Sequence, residues 1–76
     1  MTISELRAEL GLTIAEFAAA VGLASKGQAS QIERGLKPSV RVALEIEKLS
    51  TGRIKAASLN EDVALVDAAR ANNEAA

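Results

Sequence analysis

The run GLASKGQASQIERG, residues 22–35, carries the side chains of this sequence that are best suited to recognition chemistry. Glutamine can form two hydrogen bonds to adenine, lysine and arginine can bind guanine, and serine can bond to several bases. The same residue types are also common on helix surfaces that contact only water. Composition alone favours that second interpretation, so the choice depends on the elements that hold the run. Its candidate contacts are Lys26, Gln28, Ser30, Gln31 and Arg34.

The residue types that are missing from the chain exclude several classes of function. The 76 residues include no cysteine and no histidine, and Phe17 is the only aromatic residue. Pairs of a nucleophile with an imidazole and the usual zinc sites therefore cannot be built. Single-stranded nucleic acid would find almost no surface for base stacking. We expect no enzymatic activity, no metal and no cofactor.

The charge is unevenly distributed, although the net value is only −1. Residues 26–55 hold seven basic and three acidic side chains, whereas the segments before and after them are both acidic. The basic segment contains most of the run described above, as a partner of polyanions would require. A segment of this length can also become basic by chance, so charge alone identifies no partner.

Capping patterns and apolar spacing predict an all-α domain of five helices. Capping boxes with the spacing S/T-x-x-E/Q begin at Thr2, Thr13 and Ser25, and a glycine follows each of these three segments. Pro38-Ser39 is expected to start a fourth helix, which is apolar on more than one face and therefore central. The lack of β-branched and aromatic runs argues against a sheet.

The last part of the chain predicts a connector and a fifth helix. Ile54 is the expected anchor of the connector, and Ser58 or Asn60 is the expected cap of the helix. Leu59, Val63 and Val66 share one face of this helix. That face either folds onto the domain's own core or pairs with its copy in a homodimer across a two-fold axis. The domain is predicted to span residues 1–70, with a frayed tail at residues 71–76.

Helices two and three are short and separated by a turn with glycine, which is typical of a helix-turn-helix motif. Gly22 is expected to supply the positive φ of the turn, and Ala18 to allow a close approach of the two helices. Leu23, Ala29 and Ile32 are expected to anchor helix three from beneath. Within this frame, contact with DNA becomes the favoured interpretation for the outward residues of helix three.

The run LTIAEFAAAVG…SQIERGLKPS, residues 12–39, resembles the XRE/Cro family of lambda-repressor-like DNA-binding domains. The following VRVALEIEKLSTGRI, residues 40–54, resembles the YdaS-like branch of Cro-type regulators. The resemblance covers residues 2–60. It implies a five-helix fold whose third helix, residues 26–34, enters the major groove of double-stranded DNA, usually as a homodimer on a palindromic operator.

The resemblance also implies which residues contact DNA. Contacts with base edges are expected from Lys26, Gly27, Gln28 and Gln31, together with the outward Ser30. Contacts with the DNA backbone are expected from Thr13, Ser25, Arg34 and Lys37.

Several residues near this site either have two possible roles or have no assigned role. Gly27 is either a plain helix defect or a point at which bare backbone lets the helix N-terminus approach DNA. Arg41 is expected to pair with Glu45 one turn later, and Arg41 and Lys48 are expected to be solvated. Arg53 and Lys55 stay unassigned.

Two features depart from the family pattern. Family members often carry a glutamine that contacts phosphate at the position of Ile14. In addition, the segment between Gly22 and Gly35 is one residue longer than the common form. The extra residue falls within Leu23–Lys26. It is therefore open where helix three starts, and whether the first residue that contacts bases is residue 25, 26 or 27.

These features predict a cytoplasmic, nucleoid-associated regulator of bacterial or phage transcription, with repression as the expected mode. No stretch has the length of a membrane span or the pattern of a secretory signal. The alternative is a protein-interaction module, an antitoxin or an anti-activator, that binds a protein partner through the acidic residues 61–74.

Overall fold

The computed structural model describes residues 1–65, which fold into short helices without a strand. In chain order the helices are α1 (Ile3–Leu10), α2 (Ile14–Ala20), α3 (Lys26–Glu33), α4 (Val40–Leu49) and α5 (Ala56–Leu59). Residues 62–65 are helical again. The predicted all-α fold is confirmed, although residues 1–65 contain six helical segments where five helices were predicted. Val66 and the predicted tail at residues 71–76 lie outside the described residues.

The first four helices begin where the capping patterns predict. Thr2 and Thr13 form complete capping boxes with Glu5 and Glu16. In each box the threonine hydroxyl accepts from the glutamate N–H, and the glutamate carboxylate accepts from the threonine N–H. The bonds from the threonine backbone and side chain hold the pKa of each glutamate below its ordinary value.

The main hydrophobic core is built from all four of the longer helices. Phe17 is completely buried in it, and burial of such a side chain contributes roughly 1.5–3 kcal/mol. On another side of α4, Ala43 forms a smaller buried cluster with Ala56 and Val63. Helix α4 therefore contributes to both clusters, which confirms its central position. The buried members of the main core are Ile3, Leu6, Phe17, Ala18, Val21, Ala29, Ile32, Val42, Ile46 and Ile54.

The predicted connector contains the short helix α5, which the sequence pattern does not predict. The Glu47 carboxylate accepts a hydrogen bond from the Ala56 N–H at 2.8 Å, which satisfies a free donor at the start of α5. Ile54 is buried, as predicted. Of the two expected caps, Ser58 lies inside α5, whereas Asn60 is the residue after it and its Oδ1 accepts from the Asp62 N–H at 2.9 Å.

The prediction that Leu59 and Val63 share one helix is wrong, because α5 ends at Leu59 and helical structure resumes only at residue 62. Both side chains nevertheless pack on the chain itself. Val63 is only 4% exposed, and Leu59 is half-buried against both clusters. Val63 is therefore not available to a second copy in this fold, because its own chain already covers it. This observation removes Val63 from the expected dimer interface and favours the interpretation that the face folds onto its own core.

Candidate nucleic-acid interface

The turn between α2 and α3 is closed by a Schellman motif. The Leu23 N–H donates to the Ala18 carbonyl at 2.8 Å, and the Gly22 N–H donates to the Ala19 carbonyl at 3.3 Å. Gly22 has a φ of 79°, a left-handed conformation in which a Cβ approaches the carbonyl oxygen too closely. The predicted role of Gly22 in the turn is confirmed.

Arg41, near the start of α4, covers this turn. Its Nη2 donates to the Gly22 carbonyl at 3.2 Å, and a Cβ placed on Gly22 would lie only 2.8 Å from Arg41 Nη1. The expected pair of Arg41 with Glu45 is wrong, because Glu45 instead lies 3.9 Å from Lys48. Arg41 thus ties α4 to the turn that positions α3.

Helix α3 begins at Lys26, which answers where the helix starts within residues 25–27. Ser25 is the N-cap and its hydroxyl accepts from the Gln28 N–H at 3.3 Å. The preceding residues 23–25 are not helical. The Gln28 Oε1 accepts from the Ala24 N–H at 3.1 Å, so Gln28 also helps to close the turn. Its amide N–H groups are the part left for a ligand.

The exposed face of α3 presents most of the predicted base-reading residues together. Lys26, Gly27, Gln28 and Gln31 are exposed, whereas Ser30 is half-buried. Within residues 1–65, the amide of Gln31 has no hydrogen-bond partner, so both its donor and acceptor are available. Gln31 is therefore better placed than Gln28 for the two-bond pairing with adenine. The predicted anchors Ala29 and Ile32 are buried beneath this face.

Nothing in the internal packing requires a glycine at position 27. Its φ lies outside the left-handed region, and an added Cβ would meet only the Ser25 hydroxyl at 3.7 Å, an ordinary contact distance. Glycine in a helix costs about 0.8–1 kcal/mol relative to alanine. The fold alone therefore gives no reason for this residue.

The acidic residue at the end of α3 is turned inward. The Glu33 carboxylate lies 3.3 Å from Arg7 Nη2 of α1, and its side chain is only 17% exposed. Arg7 Nη1 also donates to the Leu12 carbonyl at 3.3 Å. The outer face of α3 therefore carries no negative side chain. This pair spans 26 residues of sequence, and no local pattern signals it.

Four of the eight basic side chains within residues 1–65 have no ion pair, namely Lys55 in the connector and three residues around α3. In the described part of the chain, no acidic group lies within ion-pair distance of Lys26, Arg34 or Arg41. These three residues lie at the start of α3, at its end and beside the preceding turn. The cations that do pair are those of Arg7–Glu33, Lys37–Glu61, Lys48–Glu45 and Arg53–Glu9.

The remaining predicted contacts with the DNA backbone have internal partners. Thr13 and Ser25 are exposed, and their hydroxyls act as helix caps. Lys37 forms an ion pair with Glu61 at 2.8 Å, which raises the pKa of Lys37 and lowers that of Glu61. Ile14, where family members often carry glutamine, packs against the main core. Ile14 therefore stabilises the hydrophobic core and does not replace the phosphate contact of that glutamine.

Residues 3–49 match the family model of the helix-turn-helix domain. The match runs from the first residue of α1 to the last residue of α4, so it includes the turn and the exposed face of α3. No curated protein and no solved structure gives a significant match. None of the helices within residues 1–65 has the length and apolar character needed to cross a membrane.

Proposed function

The chain belongs to the helix-turn-helix family, in its XRE-type, lambda-repressor-like form, and from this premise we propose that it is a sequence-specific regulator of transcription. Membership of this family supports a DNA-binding role for the chain. In our proposal α3 enters the major groove of double-stranded DNA, and the protein represses transcription by occupying an operator. Affiliation with the YdaS-like branch stays a prediction.

The observation that carries the proposal is the chemistry of the exposed face of α3. This face combines the available amide of Gln31 with Lys26 and the C-cap residue Arg34, two cations that have no ion pair within residues 1–65, while Glu33 is withdrawn to Arg7. A surface for a polyanion has to avoid fixed negative charge, and amides aimed outward can distinguish base pairs. An ordinary solvated helix has no need of this arrangement.

The exposed residues divide into two roles in this proposal. Gln31 and Lys26 form the direct hydrogen bonds to bases, and Gln28 contributes its N–H groups while its oxygen holds the turn. Gly27 permits a close approach, and Ser30 contributes at the edge of the contact. Contacts with phosphate come from the positions that flank α3, namely Thr13, Ser25, Arg34 and Lys37.

The proposal includes a homodimer on a palindromic site. A domain of this size makes few contacts alone, and two copies would place their recognition helices about 34 Å apart, one turn of DNA. Of the interface expected from sequence, Leu59 is the described residue that keeps partial exposure. The proposed setting is the bacterial or phage nucleoid. We assign no catalytic role, in agreement with the family.

Selection of bound duplexes from a random DNA pool tests this proposal directly. The expected result is one enriched motif, arranged as two half-sites about 10 base pairs apart if the protein binds as a dimer. A single unpaired motif would retain sequence-specific binding and contradict the dimer. No enrichment over the starting pool would contradict the proposed function.

Variants of exposed residues then test the assignment of α3. Gln31→Ala should weaken binding to the selected duplex by about 1–3 kcal/mol, or roughly 5- to 150-fold. Lys26→Ala should also weaken binding, whereas the matched Lys48→Ala should have little effect because Lys48 lies on α4 near Glu45. Fluorescence anisotropy with a labelled duplex provides the measurement. Equal behaviour of Lys26→Ala and Lys48→Ala would show that α3 is not the contacting surface.

One observation favours the alternative function, a module that binds a protein partner. Leu65 exposes 68% of its surface and follows the acidic residues Glu61 and Asp62. Most of the acidic region at residues 61–74 lies outside the described part of the chain. Truncation after Leu65 keeps the buried Asn60 and Val63 while it removes most of this region. Loss of a protein partner with retained DNA affinity would support the alternative.

A further inference from the structure

A carboxylate from the C-terminal part of the chain forms an ion pair with one of the cations proposed to contact DNA. The Glu61 Oε1 lies 2.8 Å from the Lys37 amino group. Lys37 lines the same surface groove as Gln31 and Arg41, between the helix-turn-helix turn, α3 and the start of α4. Lys37, whose amino group pairs with Glu61, therefore borders the proposed DNA-binding surface.

The position of Glu61 is fixed by its buried neighbours. The Asn60 Nδ2 donates to the Pro38 carbonyl at 2.8 Å, in a buried bond directly beside Lys37. Two residues after Glu61, Val63 is buried in the cluster of Ala43 and Ala56. These two anchors hold residues 60–63, which we name the acidic strap, against the loop that follows α3 at one end and against α4 and α5 at the other. The strap lies beyond the residues 3–49 that match the family, so the family match does not include this contact.

We propose that the acidic strap is an autoinhibitory element, in which Glu61 competes with DNA phosphate for Lys37. The inference rests on the proposed function. A DNA phosphate that approaches Lys37 meets an amino group already paired with a carboxylate, and Glu61 must move before the contact forms. The exposed Asp62 adds a second negative charge beside the same loop, so the strap also repels the phosphate backbone.

The inhibition is partial, because the pair is exposed to solvent. The Lys37 and Glu61 side chains are 49% and 76% exposed, and exposed ion pairs have small net energies that salt weakens further. Release of Lys37 should therefore change DNA affinity by about 1.5- to 5-fold. An effect of this size adjusts occupancy of a site without abolishing binding.

A double-mutant cycle on the full chain tests the inference. The variants are Glu61→Gln, Lys37→Gln and the combination of both, with Asp62→Asn as a control that removes the same charge one residue later. Affinity for one duplex is measured by fluorescence anisotropy at low salt and again at high salt. Circular dichroism checks that each variant stays folded, which is expected because all three exchanged side chains are exposed.

Glu61→Gln should tighten binding by about 1.5- to 5-fold at low salt, and by more than Asp62→Asn does. In the Lys37→Gln background this additional gain should disappear, because the cation for which Glu61 competes is gone. An equal gain with and without Lys37, or no gain at all, overturns the inference and leaves the proposed function intact. Failure of the parent protein to bind any duplex overturns both.

Discussion

Replacement of Gly27 by alanine should stabilise the protein and at the same time weaken its binding to DNA. The residue is exposed on α3, and the added Cβ would have only the Ser25 hydroxyl within reach, at 3.7 Å. Exchange of glycine for alanine gains about 0.5–1 kcal/mol in a helix interior, which is the upper bound here because Gly27 is the second residue of α3. For a domain of this size, the gain raises the melting temperature by up to about 8 °C.

The expected effect of Gly27→Ala on DNA binding has the opposite sign. If α3 approaches the bases at this point, the new methyl group fills space that the DNA occupies. Overpacking of a close-packed contact costs about 1–3 kcal/mol, or roughly 5- to 150-fold in affinity. Thermal unfolding followed by circular dichroism and anisotropy with the selected duplex measure the two quantities on the same preparation.

Gly22→Ala is the matched control, because the same exchange meets a different environment. Gly22 has a φ of 79°, and its added Cβ would lie 2.8 Å from Arg41 Nη1. The strained conformation alone costs about 1–2 kcal/mol, so this variant should melt at a lower temperature than the parent protein. A drop in melting temperature for Gly27→Ala would refute the structural argument. A rise with unchanged DNA affinity would refute the close approach at Gly27.

Two further predictions concern Arg41 and the capping boxes. Arg41→Ala should reduce the loss of stability caused by Gly22→Ala only slightly, by about 0.5 kcal/mol, because the guanidinium is the end of a flexible side chain and can move away from the new Cβ. Strictly additive urea-unfolding energies would show that the two residues do not interact. The folded-state pKa values of Glu5 and Glu16 lie below their ordinary value of 4.5. The stability that these carboxylates contribute is thus present above pH 4.5 and is lost as the pH falls through the lower folded values. The double variant Glu5→Gln/Glu16→Gln should show a shallower loss of melting temperature in this acid range, and an unchanged slope would contradict the assignment.

Residues close together in sequence determined the helices and most of the proposed interface. A capping box joins groups three residues apart. Thr13 and Glu16 therefore form their two hydrogen bonds in any chain that starts a helix at this point. The apolar spacing of Ala29 and Ile32 likewise fixes which face of α3 is buried. These contacts depend on helix geometry alone, which is why the sequence was enough to predict them.

Tertiary packing decided which polar side chains near α3 are available to a ligand. Arg41 bonds to Gly22, 19 residues away, instead of Glu45 on its own helix. Lys37 meets Glu61 across 24 residues. The sequence contains both partners of each pair, but it does not state which loops lie side by side. A charged side chain can reach several partners of similar energy in water, and only the packed arrangement of the helices selects one.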